Sequence, residues 1–457
     1  MRELRLFGHY ISLPLIILSL LDATAIASSF SLMGGDATGK ARGALLVLAP
    51  LTAITLVGAK AAVGLYHFQL RSNMAGIASR LTVAFALALP VIVAAGLLLP
   101  LNARQLVTLV AAGAVAYGVV GLFHAGFFAL ADAGALRRRV LVLGAGDSAI
   151  ALSRFRRRAD RRGFEIIGYV PMEEVHHSAL PLLRPEHSLC RFARENGIEE
   201  IVVALEERRS VVPLNELVEC RFSGIAVTDL AAFIEREAGK VPLGLLRPGW
   251  LVFDGNRVGR GQEFLRRLFD LVVATLLLLL ALPIIIVTMI AIKREDGRLA
   301  PIFYRQTRVG KEGRHFELLK FRSMRVDAEA DGRARWASRG DDRITRVGQI
   351  IRKARIDELP QLWNVLRGEM SLVGPRPERP EFVAELEQHI PYYGERHRIK
   401  PGVSGWAQIL YPYGSSRNDA AEKLQYDLYY LKNRSLMLDL IIILQTVEVV
   451  LFGKGAR

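Results

Sequence analysis

The sequence predicts a membrane protein in three parts: a bundle of four transmembrane helices, an α/β domain, and a soluble region attached to the bilayer by a further apolar segment. Three observations support this fold class. Four apolar stretches fill residues 1–135, strand-like and helix-like segments alternate over 136–238, and a fifth apolar stretch precedes a region rich in Lys and Arg.

Composition limits the classes of partner. The chain has 457 residues, of which 51% are hydrophobic, and a net charge of +15. Such basicity is typical of proteins that bind nucleic acid, anionic lipid or phosphorylated substrates. We expect no nucleic-acid partner, because the sequence has neither zinc-ligand spacing nor an aromatic RNA-binding signature. Cys190 and Cys220 lie in a stretch predicted to be cytoplasmic, and we expect free thiols there.

The four N-terminal apolar stretches, residues 10–30, 43–66, 81–100 and 106–130, each approach the length that crosses a bilayer. Cations cluster at alternate ends of these stretches, at Arg2 and Arg5, at Arg71 and Arg80, and at Arg137, Arg138 and Arg139. The positive-inside tendency therefore predicts that the N terminus and everything after Arg137 are cytoplasmic. Lys60 is expected to extend its stem to the cytoplasmic interface.

After Arg139 the pattern changes to a strand, a glycine turn and a helix start. Gly144 and Gly146 fit the G-x-G-x-x-A spacing that brings backbone amides close to a pyrophosphate. Further strands are predicted at 164–170, 198–205 and 224–229, so residues 136–238 form a small doubly wound, Rossmann-like domain. The sequence offers no clear ribose-binding acid, since Glu165 opens its strand instead of ending it. Nucleotide binding therefore stays an alternative to a scaffold or oligomerisation role.

Residues 239–263 are predicted to be a linker, in which Trp250 and Phe253 could touch the membrane. Residues 268–292 are then almost continuously apolar, with cations on both flanks, and both flanks therefore favour the cytoplasm. Because Pro283 removes a backbone hydrogen bond, we predict a re-entrant helix that breaks near this proline and returns, with a true span as the alternative. An amphipathic helix at the membrane surface is predicted over 435–452.

Asp357 and Glu358 are the strongest candidates for chemistry. Adjacent carboxylates can divide the work, one attacking a phosphoryl centre and the other holding a divalent cation. The alternative is a solvated acidic pair at a helix start. Four cations near this pair or in Pro/Gly turns are candidates to bind phosphate: Lys320, Arg352, Arg376 and Lys400.

Five ordered motifs carry a family resemblance. They are FYRQTRVG from Phe303, KFRSM from Lys320, DELPQLWNVL from Asp357, GPRP from Gly374 and KPGVSGWAQ from Lys400. Together they resemble the bacterial sugar transferase family, the monotopic polyprenyl-phosphate glycosyl-1-phosphate transferases, over residues 264–452. The N-terminal part resembles the large members, which carry four transmembrane helices and a Rossmann-like domain. Segments 379–382, 411–414 and 424–430 resemble the exopolysaccharide-synthesis branch.

The resemblance implies a fold and a mechanism. The fold is a four-helix transmembrane bundle over 1–135, the Rossmann-like domain over 136–238, and a mainly α-helical monotopic catalytic domain with a re-entrant helix over 264–457. Asp357 would attack the β-phosphoryl group of a UDP-sugar and form a covalent phosphosugar. Glu358, together with Asp357, would bind Mg²⁺, and Arg352, Arg376, Lys320 and Lys400 would bind phosphates.

Other motif positions have implied supporting roles. The supporting residues of the motifs are Arg322, Gln361, Pro375, Pro377, Gln408 and Asp427, and those of the re-entrant helix are Arg266, Arg267, Asp270 and Pro283. Family members usually carry a Ser-Pro break in this helix, whereas this chain has Leu282 before Pro283.

The implied reaction transfers sugar-1-phosphate to undecaprenyl phosphate and releases UMP, as the first membrane step of exopolysaccharide or other glycoconjugate synthesis. UDP-glucose is the first expectation for the donor, with UDP-galactose or an N-acetylated sugar next. We expect a multi-pass protein of the bacterial inner membrane, in contact with its lipid, with the catalytic domain on the cytoplasmic face, and a homodimer formed through the cytoplasmic domain. The alternative of another class is a membrane-bound nucleotide sensor or scaffold.

Overall fold

The computed structural model of the protein describes residues 3–6, 9–33, 40–66, 74–97, 103–132, 137–153, 163–172, 180–205, 212–246, 259–297, 300–325, 343–411, 414 and 416–452. The chain divides into two compact units. The first contains Met1–Leu6 and Tyr10–Leu246, and the second contains Phe7–His9 and Arg247–Arg457. Each unit is described separately.

The first unit begins with two short paired strands, β1 (Glu3–Leu6) and β2 (His9–Ser12). Four helices follow: α1 (Leu13–Met33), α2 (Lys40–Ala62), α3 (Met74–Leu97) and α4 (Ala103–Asp132). Helices α1, α3 and α4 contain segments long and apolar enough to cross a membrane, and the apolar part found in α2 is Leu48–Ala62. The prediction of four N-terminal helices is confirmed, and the chain is a membrane protein.

A charged network is buried inside this bundle. The Asp22 carboxylate lies 2.6 Å from the Lys60 ammonium and 2.9 Å from His124 Nε2, and all three side chains are 0% exposed. The Tyr66 hydroxyl donates a 2.7 Å hydrogen bond to the same carboxylate. The prediction that Lys60 reaches the membrane surface is therefore wrong, because a carboxylate on α1 stabilises its charge inside the bundle.

The α/β domain has a four-stranded, wholly parallel sheet. Its strands are β3 (Arg138–Leu143), β4 (Phe164–Val170), β5 (Glu200–Val203) and β6 (Ala226–Asp229), in the order β4-β3-β5-β6. Four helices alternate with them: α5 (Asp147–Ser153), α6 (Leu189–Glu195), α7 (Leu214–Phe222) and α8 (Leu230–Ala238). Because buried apolar clusters lie on both faces of the strands, the predicted parallel α/β layout is confirmed. Cys190 and Cys220 are buried, free thiols in one of these clusters.

The glycine turn after β3 has a packing role. Gly144 has φ +118°, and a Cβ at this position would lie 2.4 Å from the backbone oxygen of Ala204, at the end of the neighbouring strand. Only glycine permits both the conformation and the close approach. This explains Gly144 without a ligand, and nucleotide binding by Gly144 and Gly146 stays a prediction.

The second unit begins with one long helix, α9 (Arg260–Asp296), of 37 residues. The part of the predicted linker at 247–258, including Trp250 and Phe253, lies outside the described residues. Helix α9 continues through Pro283, so the predicted break in the helix is not observed. A proline removes one backbone hydrogen bond and can bend a membrane helix while the turns on either side remain helical.

The rest of this unit combines short helices with two small sheets. Strands β7 (Phe303–Val309) and β8 (His315–Phe321) form an antiparallel hairpin, and β9 (Ser371–Val373) pairs in parallel with β10 (Gly402–Ser404). The helices are α10 (Arg346–Lys353), α11 (Gln361–Arg367), α12 (Pro380–His389), α13 (Trp406–Leu410), α14 (Arg417–Asn433) and α15 (Leu436–Phe452).

Helix α15 confirms the helix predicted over 435–452 and shows how its faces are used. Its polar residues Asp439, Gln445 and Glu448 are buried against the protein, whereas Leu440 and Leu451 are exposed. This distribution leaves an apolar outer face, as a helix at a membrane surface requires.

We predict that Asp22→Asn lowers the thermal stability of the purified protein in detergent. The substitution leaves the Lys60 ammonium buried without a carboxylate, which costs about 3–5 kcal/mol. The double variant Asp22→Leu/Lys60→Leu should recover part of the loss, because both charges are removed together. Thr24→Ala, on an exposed position of the same helix, is the control. An unchanged melting temperature in Asp22→Asn would show that the ion pair adds nothing to stability.

Candidate active site

Asp357 and Glu358 lie in a short 3-10 turn, Ile356–Glu358, between α10 and α11. The preceding residue, Arg355, has φ +58° and ψ +17°, a left-handed conformation that costs a non-glycine residue about 1–2 kcal/mol. This residue reverses the chain after α10 and turns the following carboxylates inward, so that Asp357 is only 8% exposed. The pair is therefore held inside the unit and is not a solvated surface dipeptide.

Glu358 is the centre of a cluster of cations. Its Oε1 accepts hydrogen bonds from Lys320 Nζ at 3.2 Å and from Arg376 Nη2 at 3.0 Å, and Arg355 Nη1 lies 3.9 Å away. These cations come from β8, from the turn after β9 and from the residue before the 3-10 turn. One carboxylate oxygen thus connects three separate segments of the chain.

Asp357 has a different environment. Among the described residues it makes no hydrogen bond and no ion pair within 4 Å, although it is largely buried. Burial and the neighbouring charge of Glu358 raise its pKa, while Lys320, Arg352 and Arg355 oppose that rise. Within the part of the chain that the structure describes, the Asp357 carboxylate is therefore without the close cation contacts that Glu358 has.

Glu358 shows the opposite pKa shift. Burial alone would raise its pKa, but the positive charges of Lys320, Arg376 and Arg355 outweigh burial and hold the pKa below its ordinary value. Burial also lowers the pKa of the Lys320 ammonium, and Glu358 opposes that shift. Glu358 is thus a stable anion at neutral pH.

The packing of α11 on β8 aligns Lys320 with the acidic pair. The Asn364 side chain accepts a 3.1 Å hydrogen bond from the Leu319 backbone N–H and donates a 2.7 Å bond to the Glu317 carbonyl. Gln361, at the start of α11, is 3% exposed. Because Leu319 immediately precedes Lys320, this bridge determines where the lysine leaves the strand.

The Arg376 turn is supported from two sides. Arg396 donates a 3.0 Å hydrogen bond to the Arg376 carbonyl and forms a 2.8 Å ion pair with Asp427 on α14. Arg308 on β7 donates a 3.0 Å hydrogen bond to the Pro377 carbonyl. Burial raises the pKa of Asp427 to about 6, while Arg396 opposes the rise. Asp427 therefore positions Arg376 through Arg396.

The GPRP and KPG motifs meet because β9 and β10 pair in parallel, with Ser371 opposite Gly402. Gly374 N–H donates to the Ser404 carbonyl at 2.9 Å, and a Cβ on Gly374 would lie 2.4 Å from the Lys400 carbonyl oxygen. Close backbone contact therefore requires glycine here. Pro375 and Pro377 line a small cavity beside Arg376.

Comparison with known proteins agrees with this geometry. The model of the family described as bacterial sugar transferase matches residues 261–453, which include the whole cluster around Glu358. A UDP-glucose:undecaprenyl-phosphate glucose-1-phosphate transferase of Klebsiella pneumoniae is 34% identical over 73% of this chain and 71% of its own length. The chain belongs to the bacterial sugar transferase family.

Two further relatives differ in the sugar that they are named for. A UDP-galactose-lipid carrier transferase of Erwinia amylovora is 32% identical over 70% of this chain and 69% of its own length. A UDP-N-acetylgalactosamine-undecaprenyl-phosphate N-acetylgalactosaminephosphotransferase of Aeromonas hydrophila is 41% identical over 53% of this chain. The chain spans 56% of the length of the Aeromonas protein. The family and transferase class predicted from the motifs are confirmed, and the sugar is open.

The structure brings together only some of the predicted phosphate ligands. Lys320 and Arg376 contact Glu358 directly, and Arg352, at the end of α10, is close enough to lower the pKa of Asp357. Lys400 lies instead in a separate cavity with Arg267 and Asp270.

The remaining predicted residues have structural contacts. Arg322 Nε donates to the Pro301 carbonyl at 2.9 Å, and Gln408 Nε2 is 3.4 Å from the Val403 carbonyl. Asp270 accepts hydrogen bonds from the Ser371 hydroxyl and from the Leu372 backbone N–H. The Asp270 contacts fasten the first turns of α9 to β9, and the Gln408 contact joins α13 to β10.

Two residues of the cluster were not among the sequence candidates. Arg355 contributes a left-handed backbone turn as well as its charge. Arg396 contributes a hydrogen bond to the Arg376 carbonyl. Arg355 could have been identified by its position two residues before Asp357. Nothing in the sequence distinguishes Arg396 from its neighbour Arg398.

Within the described part of the chain, no group of three or more His, Cys, Asp or Glu side chains could hold a metal ion. Mg²⁺ does not need one, because it usually takes one or two carboxylates, several waters and substrate phosphate oxygens. Glu358 contacts Lys320, Arg355 and Arg376 through Oε1, and Oε2 makes no hydrogen bond or ion pair with the described residues. Glu358 Oε2 and the Asp357 carboxylate therefore fit a magnesium ion that arrives with a diphosphate.

We predict that Gly374→Ala separates β9 from β10, because the new Cβ would lie 2.4 Å from a backbone oxygen. The melting temperature of the purified protein should fall by several degrees, at roughly 2–4 °C per kcal/mol for a domain of this size. Gly261→Ala is the control, since nothing lies within 4 Å of that position and alanine favours the helix. Equal stability of the two variants would contradict the close-contact argument.

Proposed function

We propose that this protein transfers sugar-1-phosphate from a UDP-sugar to undecaprenyl phosphate through a covalent intermediate on Asp357. The main support for the proposal is the difference between the surroundings of Glu358 and those of Asp357. Glu358 is held by Lys320 and Arg376, whereas Asp357 is largely buried without a hydrogen-bond partner among the described residues. A carboxylate without such partners is available to attack a phosphoryl centre.

In the first step, an Asp357 oxygen attacks the β-phosphorus of the UDP-sugar. The bond from this phosphorus to the bridging oxygen breaks, and UMP leaves with the electron pair. Lys320, Arg352, Arg355 and Arg376 surround the position where charge develops on the phosphate oxygens. Glu358 and Asp357 would hold Mg²⁺, which would neutralise charge on the diphosphate.

In the second step, a phosphate oxygen of undecaprenyl phosphate attacks the same phosphorus. The acyl-phosphate bond breaks, Asp357 returns to a carboxylate, and undecaprenyl-diphosphate-sugar is formed. No proton has to be moved in either step, because both nucleophiles are oxyanions. This agrees with a site made of carboxylates and cations.

For the donor, we propose a class of sugar nucleotide and name a first candidate within it. UDP-glucose is the first candidate, and the names of the relatives support a UDP-hexose while differing among glucose, galactose and N-acetylgalactosamine. UMP release with a panel of UDP-sugars identifies the preferred donor. We further propose an inner-membrane location, a catalytic unit on the cytoplasmic face and a homodimer formed through the α/β domain.

The proposed membrane path of α9 is re-entrant. Near its start, Arg267 donates to the Val365 carbonyl at 2.6 Å, and near its end Ile292 packs against Phe321 and Ile351. A straight helix would separate Arg267 from Ile292 by about 38 Å. Yet the neighbour of Val365, Asn364, binds Leu319, only about 7 Å along β8 from Phe321. These contacts support a bend near Pro283 that returns both ends to one side.

We predict that Asp357→Asn abolishes UMP release and that Glu358→Gln nearly does so, with unchanged folding. In the wild-type protein, incubation with UDP-sugar and Mg²⁺ but without acceptor should add one sugar phosphate to the peptide that contains Asp357. Mass spectrometry measures this adduct, and EDTA should prevent it. Arg398→Gln, a solvent-exposed charge change, is the control. Substantial turnover by Asp357→Asn would refute the covalent mechanism.

We also predict the side of the membrane that each end of α9 faces. Arg260→Cys and Arg294→Cys, both at exposed positions, should react with a membrane-impermeant maleimide only from the cytoplasmic side. Arg104→Cys, at the end of α4 predicted to be periplasmic, should react only from the other side. Periplasmic labelling of Arg294→Cys would establish a true span.

A further inference from the structure

A second group of cations surrounds a cavity of about 290 Å³ in the C-terminal unit. The cavity lies between the first turns of α9, the β7–β8 turn, the start of β9 and the segment before β10. Five cations line it: Arg266, Arg267, Lys311, Lys400 and Arg434. Its volume exceeds that of several water molecules, at about 30 Å³ each, so a phosphate group fits inside.

The acidic residues of the cavity do not balance these charges. Only Glu263 and Asp270 are acidic in its lining. The Asp270 carboxylate is engaged by the Ser371 hydroxyl and by the Leu372 N–H, and Glu263 is 3.9 Å from Arg434. Two carboxylates outside the lining also pair with its cations, since Arg266 lies 3.2 Å from Asp439 and Lys311 lies 3.5 Å from Glu312. An excess of positive charge nevertheless remains on the α9 and β10 sides of the cavity.

Lys400 and Arg267 carry most of that excess. Among the described residues, the Lys400 ammonium makes no hydrogen bond and no ion pair. Burial, followed by the nearby positive charge of Arg267, lowers its pKa. Arg267 directs both terminal nitrogens to the carbonyls of Val365 and Leu366 and contacts no carboxylate within 4 Å in the described part of the chain. An anion in the cavity would relieve this repulsion.

This cavity is distinct from the cluster around Glu358. Helix α11, Gln361–Arg367, begins three residues after Glu358, and Arg267 binds the carbonyls at its opposite end. Seven helical residues extend about 10 Å. The cations within 4 Å of Glu358 in the described part of the chain are Lys320, Arg355 and Arg376, and none of them lines the cavity. An anion here is therefore separate from the phosphates at Asp357.

The position of the cavity along α9 indicates a lipid ligand. Phe264, in its lining, is 68% exposed, and Val272 and Leu279, two and nine residues beyond Asp270 on the same helix, are 57% and 65% exposed. The apolar segment that starts here is long enough to enter a bilayer. Basic pockets at the cytoplasmic ends of membrane helices are typical sites for lipid headgroups.

We propose that this cavity binds the phosphate headgroup of a membrane lipid, with Lys400 and Arg267 as its principal ligands. Binding of a headgroup at this site does not depend on the transfer reaction. If its occupant is the polyprenyl phosphate acceptor, it holds the acceptor about one short helix away from Asp357 before transfer. That last step rests on the proposed function, whereas headgroup binding does not.

The test uses the full-length Asp357→Asn protein in phosphatidylcholine nanodiscs, which binds ligands without turnover. A photoreactive farnesyl phosphate is the probe, and mass spectrometry locates the labelled peptide. We expect labelling in the first turns of α9 and in the segment that contains Lys400. At a subsaturating probe concentration, adding Lys400→Gln should reduce this labelling about tenfold or more, the effect of one charged hydrogen bond.

Arg398→Gln is the matched control, because it removes a charge from an exposed side chain two residues away and outside the cavity. It should leave labelling unchanged. Lys311→Gln is a second test variant that should also weaken labelling, since Lys311 lines the cavity from the β7–β8 turn. Melting temperatures verify that the variants fold.

Competitors distinguish the source of the phosphate. Competition by unlabelled farnesyl phosphate but not by phosphatidylglycerol identifies the acceptor, and competition by both identifies a general anionic-lipid site. Both results support the proposal. Equal competition by inorganic phosphate would overturn the lipid assignment, and so would equal labelling of the Lys400→Gln and Arg398→Gln proteins. Because the protein is inactive by design, failure here is independent of the transfer mechanism.

Discussion

The arrangement of the cations in the candidate active site depends on the carboxylate of Glu358. Its Oε1 is the point at which Lys320 from β8, Arg376 from the turn after β9, and Arg355 from the turn after α10 approach one another. In a partly buried site these three positive charges would repel strongly without an anion among them. The ionised Glu358 carboxylate therefore stabilises the close approach of these three cations.

The same constraint explains why two adjacent carboxylates behave differently. The cations lower the pKa of Glu358, and the resulting negative charge, together with burial, raises that of Asp357. Neighbouring acids whose pKa values are driven apart are a common sign of divided catalytic roles. The carboxylate that gathers the cations and the carboxylate proposed as the nucleophile are therefore different residues, and the charge of the first contributes to the raised pKa of the second.

Sequence predicted the elements whose signal is local. The parallel strands, the four N-terminal helices and α15 follow from hydropathy and glycine turns. The motifs predict Lys320 and Arg376 as phosphate ligands of the site, and the structure places both beside the acidic pair. Features that depend on distant partners were missed. The carboxylate that binds Lys60 lies on another helix, and Arg396 acts through the Arg376 carbonyl and Asp427. No periodicity or motif encodes such pairings.

Lys400 shows the limit of motif spacing. The motifs predict both Lys400 and Lys320 as phosphate ligands, yet the two lysines lie at opposite ends of α11. The two lysines differ in the charge of the side chains nearest to them. Lys320 faces a carboxylate that can also hold a metal ion, so its surroundings suit a metal-bound diphosphate. Lys400 faces Arg267 and no free carboxylate among the described residues, so its surroundings suit a phosphate that brings its own charge without a metal. Residue type predicts affinity for phosphate, whereas the balance of neighbouring charge decides which phosphate a site accepts.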